Sequence, residues 1–264
     1  MVTGFLYLQE GESRLRWRPR EFLRVCAWSV TIWLVFEAWN LVLMNWRYVH
    51  LLPQRWLRWP GYALAFATVL PGVLLTARVL ETLGAWRGYS GPRRSWDWWQ
   101  PLFLILGVIC LILPLTLPRY CFPLVWLAFF FLLDPLNDLL SSNSLTRRWL
   151  HGERRETCCL LAAGLICGLW WEMWNYPAAA KWVYVLPVFN FGKIFEMPVL
   201  GYLGFLPFAL ECAVMYNFMK VLEERVLTTP GRRRGFWLAQ PAFWLLMFAA
   251  IDARTVVFFR QGSS

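Results

Sequence analysis

The sequence predicts an all-α integral membrane protein of seven transmembrane helices, with the N-terminus inside and the C-terminus outside. Three observations carry that reading. Of 264 residues, 59% are hydrophobic and only 16% charged, and the mean hydropathy of +0.44 exceeds what a soluble domain needs. Seven apolar runs are each about 20 residues long, enough to cross a hydrocarbon core of roughly 30 Å. Arginines concentrate in alternate loops, as the positive-inside rule requires. No segment alternates polar and apolar residues at barrel-strand spacing, so a β-barrel is not expected.

The helices are expected at about 21–46, 61–85, 100–118, 121–141, 157–177, 197–220 and 236–257, in one domain over residues 1–264. The first follows a basic segment with Arg14, Arg16, Arg18, Arg20 and Arg24. The same side receives Arg87, Arg93 and Arg94, then Arg147, Arg148, Arg154 and Arg155, then Lys220, Arg225, Arg232, Arg233 and Arg234. The other side holds Arg47, Arg55, Arg58, Arg119, Lys181 and Lys193, with Arg254 and Arg260 near the outer end of the last helix. The expected location is the cytoplasmic (plasma) membrane, N-terminus cytoplasmic. The net charge of +10 then follows from topology and anionic inner-leaflet lipid. No soluble basic module is present to bind nucleic acid. Residues 1–20 lack the apolar core of a cleavable signal peptide. The seven cysteines lie almost entirely in apolar runs without metal spacing and read as packing residues. Trp17, Trp28, Trp56, Trp59, Trp96, Trp98, Trp149 and Trp237 fall near helix boundaries and fit an interfacial belt.

The chain partly repeats itself. FEAWNLVLMNWRYVHLLP (Phe36 to Pro53) resembles LWWEMWNYPAAAKWVYVLP (Leu169 to Pro187), with Trp46, Tyr48 and Pro53 answering Trp182, Tyr184 and Pro187. PGYALAFATVLP (Pro60 to Pro71) resembles PVLGYLGFLP (Pro198 to Pro207), and WWQPLF at Trp98 is echoed by WLAQPAF at Trp237. These matches predict a 3+1+3 parallel pseudo-repeat: residues 1–118 form one three-helix unit, 119–150 the crossover helix, and 151–264 the second unit. Repeat proteins of membranes place ligands between repeats, near helices broken by Gly or Pro. Pro71 and Pro207 interrupt the second helix of each unit, and the carbonyls a proline frees tend to face a cavity.

Acidic residues inside the membrane are costly and normally face the bundle interior. Glu37 with Asn40, and Glu172 with Asn175, each share a helix face at i,i+3 spacing. Glu211 lies four residues after Pro207, Asp252 in the outer half of the last helix, and Asp134, Asn137 and Asp138 in DPLND of the fourth. Arg78, with Glu81 as its mate, is the one clearly intramembrane base, and Arg254 either reaches Asp252 or snorkels outward. Glu37, Glu172 and Glu211 thus outnumber nearby bases, the composition of a proton donor held in an apolar pocket. The Glu–Asn pairs also fit plain interhelical glue. Trp39, Trp170, Trp171 and Trp174 flank those pairs, where they either fill core or shield a transient carbocation. GLICG (Gly164 to Gly168) reads as a small-residue helix contact.

Other chemistries find little support. His50 and His151 are both expected in loops, which excludes a buried His-ligated metal. No phosphate loop or nucleotide fingerprint is present, and a single DxxxD at Asp134–Asp138 is a weak sign of magnesium-diphosphate chemistry. The seventh helix lacks the lysine a retinal protein needs. GFLPFALEC (Gly204 to Cys212) resembles the proline-then-acid motif of the small-membrane-protein lycopene cyclases, which are built from two related three-helix units. Pro207 and Glu211 take those roles here, although this chain has P-x-x-x-E where that family has P-x-E-E, and Leu75 stands at the matching place in the other half.

That resemblance implies a lipid- or isoprenoid-binding protein, in its sharper form a redox-neutral carotenoid cyclase. Glu211, Glu172 and Glu37 would be its acid and base groups. Trp39, Asn40, Trp171, Trp174, Asn175, Asp134, Asn137 and Asp252 would line the substrate, with no metal or other cofactor. Two other classes stay open: a proton-coupled carrier using Glu37 and Glu172, and a non-catalytic partner of another membrane protein or of its own copy.

Overall fold

The computed structural model describes residues 18–141 and 143–258. Arg14, Arg16, Trp17 and Arg260, which enter the charge and belt arguments, lie outside them. Among the described residues, seven helical segments are long and apolar enough to cross a membrane: Pro19–Leu43, Arg55–Thr82, Trp99–Thr116, Pro118–Ser141, Arg155–Asn175, Val199–Arg225 and Pro230–Arg254, here spans 1 to 7. Span 1 buries Trp28, Leu34 and Phe36 and packs against spans 2 and 7; spans 2 and 5, 5 and 6, 6 and 4, and 4 and 3 form the other main contacts. The GLICG segment joins span 5 to span 6. A Cβ at Gly164 would stand 2.1 Å from the Phe205 carbonyl oxygen, so only glycine permits that approach.

Spans 2 and 6 are both broken near their prolines. Span 2 consists of Arg55–Ala67 and Val69–Thr82, with Thr68 between them. Span 6 begins as a 3₁₀ segment, Val199–Gly204, before the α-helix Phe205–Val221. Pro71 and Pro207 are each the third residue of the second piece, where a missing N–H costs least. Ser29 of span 1 repairs the break in span 2. Its hydroxyl donates to the Phe66 carbonyl (2.5 Å) and accepts from the Leu70 N–H (2.9 Å), groups that would pair with each other in an unbroken helix.

The all-α expectation needs one correction. Three strands, β1 (Trp46–Leu51), β2 (Lys181–Tyr184) and β5 (Val256–Phe258), form a sheet in the order β2-β1-β5. β1 runs antiparallel to β2 and parallel to β5. β3 (Lys193–Ile194) and β4 (Met197–Pro198) make a second, two-stranded piece. Met44, at φ 55°, ends span 1 in the left-handed region and returns the chain toward the bundle. The aromatic and β-branched WRYVHL then suits an extended pleat. His50 therefore sits on a strand, not in a loop. A second correction concerns Trp28: it is 1% exposed and packs on Tyr216, so it belongs to the core and not to an interfacial belt. Trp56 and Trp98, at 73% and 63% exposure, do fit such a belt.

Candidate functional site

The two Glu–Asn pairs tie the ends of spans 1 and 5 to the sheet. The Asn40 amide donates to the Trp46 carbonyl (2.9 Å) and its oxygen accepts the Trp46 N–H (3.2 Å), as a neighbouring strand would. One oxygen of Glu37 accepts from the indoles of Trp33 and Trp46 (3.0 Å each) and from the Tyr48 hydroxyl (2.5 Å). Asn175 makes the same pair of bonds to Trp182 (2.8 and 2.9 Å). One Glu172 oxygen accepts from the Trp182 indole (3.0 Å) and the Tyr184 hydroxyl (2.7 Å). In the sheet, Trp46 faces Tyr184 and Tyr48 faces Trp182. Burial, and then the nearby Glu37 and Glu172 carboxylates, push the Tyr48 and Tyr184 phenols well above their ordinary range. Both tyrosines thus remain neutral donors. Among the described residues, the second oxygen of each glutamate is buried without a hydrogen-bond partner, an expensive condition for a dry polar atom.

Beside these clusters lies a cavity of about 650 Å³, enclosed by spans 1, 2, 4, 5 and 6 and by β1 and β2. That volume falls within the roughly 300–1,000 Å³ of small-molecule sites, which are mostly apolar with a few convergent polar groups. Its wall is chiefly aromatic and aliphatic: Trp33, Trp46, Trp126, Trp171, Phe205 and Phe208 contribute, and Glu172 supplies the carboxyl. Both broken helices face it, through Phe66, Thr68 and Val69 in span 2 and Gly201, Gly204 and Phe205 in span 6. Its end nearest the sheet carries Arg58, Lys181, Asn45 and Asn175.

The structure thus sorts the residues singled out from sequence. Glu172, Trp171, Trp174 and Asn175 line the cavity. Glu37 stands behind it and meets its wall through Trp33, Trp46 and Tyr48. Trp39 is buried against Phe36 and Phe129, and Asn40 is spent on Trp46. Glu211 is not in the wall; it accepts the Phe129 N–H (2.8 Å) in the first turn of the span 4 helix Ala128–Ser141, as a cap does. Asp134 likewise accepts from Ser144 and from the Leu145 and Thr146 N–H groups, capping the short helix Leu145–Leu150. Asn137 donates to the Val214 carbonyl (2.9 Å), and Asp138 pairs with Arg147 and Gln100. DPLND is therefore committed to tying span 4 to the helix Leu145–Leu150, to span 6 and to span 3. The Asp138 bond in turn raises the Arg147 guanidinium further above its ordinary range.

Asp252 finds an unexpected partner. The sequence reading places Arg58 in an outer loop, but it lies within span 2 and is 6% exposed. It meets both Asp252 oxygens, which also accept from Trp59 (2.9 Å) and Tyr62 (3.1 Å). Arg78 is thus not the only base within the spans, although it does pair with Glu81 at 2.7 Å. Arg254 donates to the Leu41 carbonyl (3.0 Å), so it neither reaches Asp252 nor simply snorkels outward. Lys181, at the start of β2, pairs with Glu196. Sequence reasoning missed Arg58, Tyr62, Tyr48, Tyr184 and Trp126 as site residues; the recurring W-x-Y after each E-x-x-N was the one available signal for the tyrosines.

Compared with family models, curated proteins and solved structures, the chain matches none.

Proposed function

We propose that this protein binds an isoprenoid or similar long apolar lipid in the cavity beside Glu172 and, in the sharper form, isomerises it by acid–base catalysis. One observation carries the proposal: the cavity has one carboxyl in its wall, buried Glu172 with an oxygen unpartnered among the described residues, beside a chiefly aromatic and aliphatic lining whose other charged groups, Arg58 and Lys181, sit at its sheet end. In its protonated form Glu172 donates to a terminal carbon–carbon double bond. The new cation is attacked intramolecularly by a second double bond, which closes a ring. Trp171 and Trp126 offer their faces to the cation, and the carboxylate left on Glu172 removes a proton from the adjacent carbon. The product is an isomer of the substrate, so no oxidant, reductant or metal enters the balance. Carotenoid-type cyclisation, suggested by the resemblance in the sixth span, is this chemistry; the acid falls to Glu172 rather than to the capping Glu211.

The twin clusters also support two related three-helix units, 1–118 and 151–264. Spans 1 and 5 end in the same E-x-x-N, and each is followed by the same W-x-Y. Antiparallel pairing of those two strands is what a pseudo-twofold axis between them produces. The basic loops argue for an N-in, C-out chain in the plasma membrane. The carrier reading rests on the like placement of Glu37 and Glu172, and the partner reading on the three donors that converge on one Glu37 oxygen as a structural anchor.

The test is turnover of an acyclic polyisoprenoid by the reconstituted protein in D2O. A cyclised product carrying deuterium at the protonated carbon, absent with Glu172→Gln, is the expected result. Unaltered substrate alongside substrate movement across liposomes would instead favour the carrier.

A further inference from the structure

We propose that the cavity is filled sideways from the bilayer, through a cleft between the outer half of span 2 and the outer end of span 5. This rests on the reading of the cavity as a lipid-binding site and adds the route by which the ligand reaches it. The break at Thr68 creates the cleft. Below it, Val69–Thr82 packs along span 5; above it, Arg55–Ala67 packs on span 1 instead, so the two spans diverge from the break outward.

Leu57, Gly61, Ala65 and Thr68 follow one helix face at i, i+4, i+8 and i+11. All four line the cavity and all four are solvent-accessible. Trp174 of span 5 is likewise in the cavity wall and 62% exposed. A Cβ added at Gly61 would meet nothing within 4 Å, so open space lies there.

The position of this stripe decides what can pass. It lies within a 28-residue apolar span, where the medium outside is acyl chain and not water. Its one polar side chain, Thr68, turns its hydroxyl to the Ala65 carbonyl (2.7 Å), leaving the edge apolar to an entering chain. The outer, sheet end of the cavity is the reverse: Arg58 with Asp252, and Lys181 with Glu196, line or flank that rim. An apolar chain would have to pass charges to enter there. Beyond the cleft waits the unpartnered, fully buried oxygen of Glu172.

The experiment places the full chain in phosphatidylcholine vesicles with a diazirine-bearing polyisoprenoid hydrocarbon, irradiates at successive times, and maps labelled residues by mass spectrometry. Wild type is expected to label the deep wall at Trp126, Phe205 or Phe208. Gly61→Trp and Ala65→Trp, which fill the cleft, should each slow that labelling by roughly tenfold with unfolding temperature unchanged. Ala180→Trp, on the watery rim, should not slow it. Undiminished deep labelling in both cleft variants overturns the portal while leaving the cavity reading intact. No deep labelling in wild type overturns the binding reading itself, and the portal with it.

Discussion

Replacing Glu172 by glutamine or by leucine separates a proton donor from a structural anchor, because both of its hydrogen bonds converge on one oxygen. Glutamine keeps a carbonyl oxygen for Trp182 and Tyr184, and its amide takes the place of an oxygen that has no partner. Against the protonated carboxyl that the proposed chemistry requires, that amide replaces an equally unpartnered O–H, so Glu172→Gln should change stability by about 1 kcal/mol or less. Leucine strands both donors. An orphaned buried donor costs about 1–3 kcal/mol, and Trp182 and Tyr184 are only half-buried, so Glu172→Leu should lose roughly 1–3 kcal/mol. At Glu37 three donors, two of them from the buried Trp46 and Tyr48, depend on one oxygen. Glu37→Leu should lose more, roughly 3 kcal/mol or above. The assay is denaturant or thermal unfolding in one detergent, read beside turnover or bound lipid. Function lost in Glu172→Gln with stability kept is the predicted pattern. If glutamine destabilises as much as leucine, the anchor depends on charge rather than on hydrogen-bond geometry, and the reasoning fails.

Three further outcomes test the frame that positions the cavity. Asp252→Ala leaves the buried Arg58 guanidinium uncompensated and should cost about 3–5 kcal/mol; Arg58→Met with Asp252→Leu should recover most of it, and a single-variant loss below 1 kcal/mol in detergent unfolding would remove the pair from the account. Gly164→Leu drives a side chain into the Phe205 carbonyl and should lower stability by about 1–3 kcal/mol as spans 5 and 6 separate, visible as a lower unfolding temperature. Ser29→Ala deletes the hydroxyl bridging Phe66 and Leu70. It should cost about 1–2 kcal/mol, and an unchanged unfolding curve would mean that the break in span 2 closes without it.

Much of this frame is legible in the sequence, and what is not fails for physical reasons. Span positions follow from apolar length alone, which is why all seven survive with shifted ends. Span 2 starts six residues earlier than its apolar core because Arg55–Trp59 forms a helical turn that hydropathy does not register. The same turn hides Arg58, whose partner Asp252 is 194 residues away; no local pattern announces such a pair. E-x-x-N recurring at equal depth marked Glu37 and Glu172 correctly as buried. What the carboxylates hold was not legible, since strands of six and four residues are too short to show period-2 alternation against an aromatic background. Glu211 looked like the better acid because it is solitary after a proline. Its cap role depends on where the helix of span 4 begins, and that lies 82 residues away in the chain. The paired prolines were the most informative signal of all, because both breaks border the cavity.

The most direct measurement is mass spectrometry of the organic extract from purified protein, wild type beside Glu172→Gln and Glu211→Gln. The account predicts one isoprenoid or related lipid enriched over bulk membrane in wild type, altered in mass or amount by Glu172→Gln and unaltered by Glu211→Gln wherever that variant folds. Extracts matching bulk lipid in all three would contradict it.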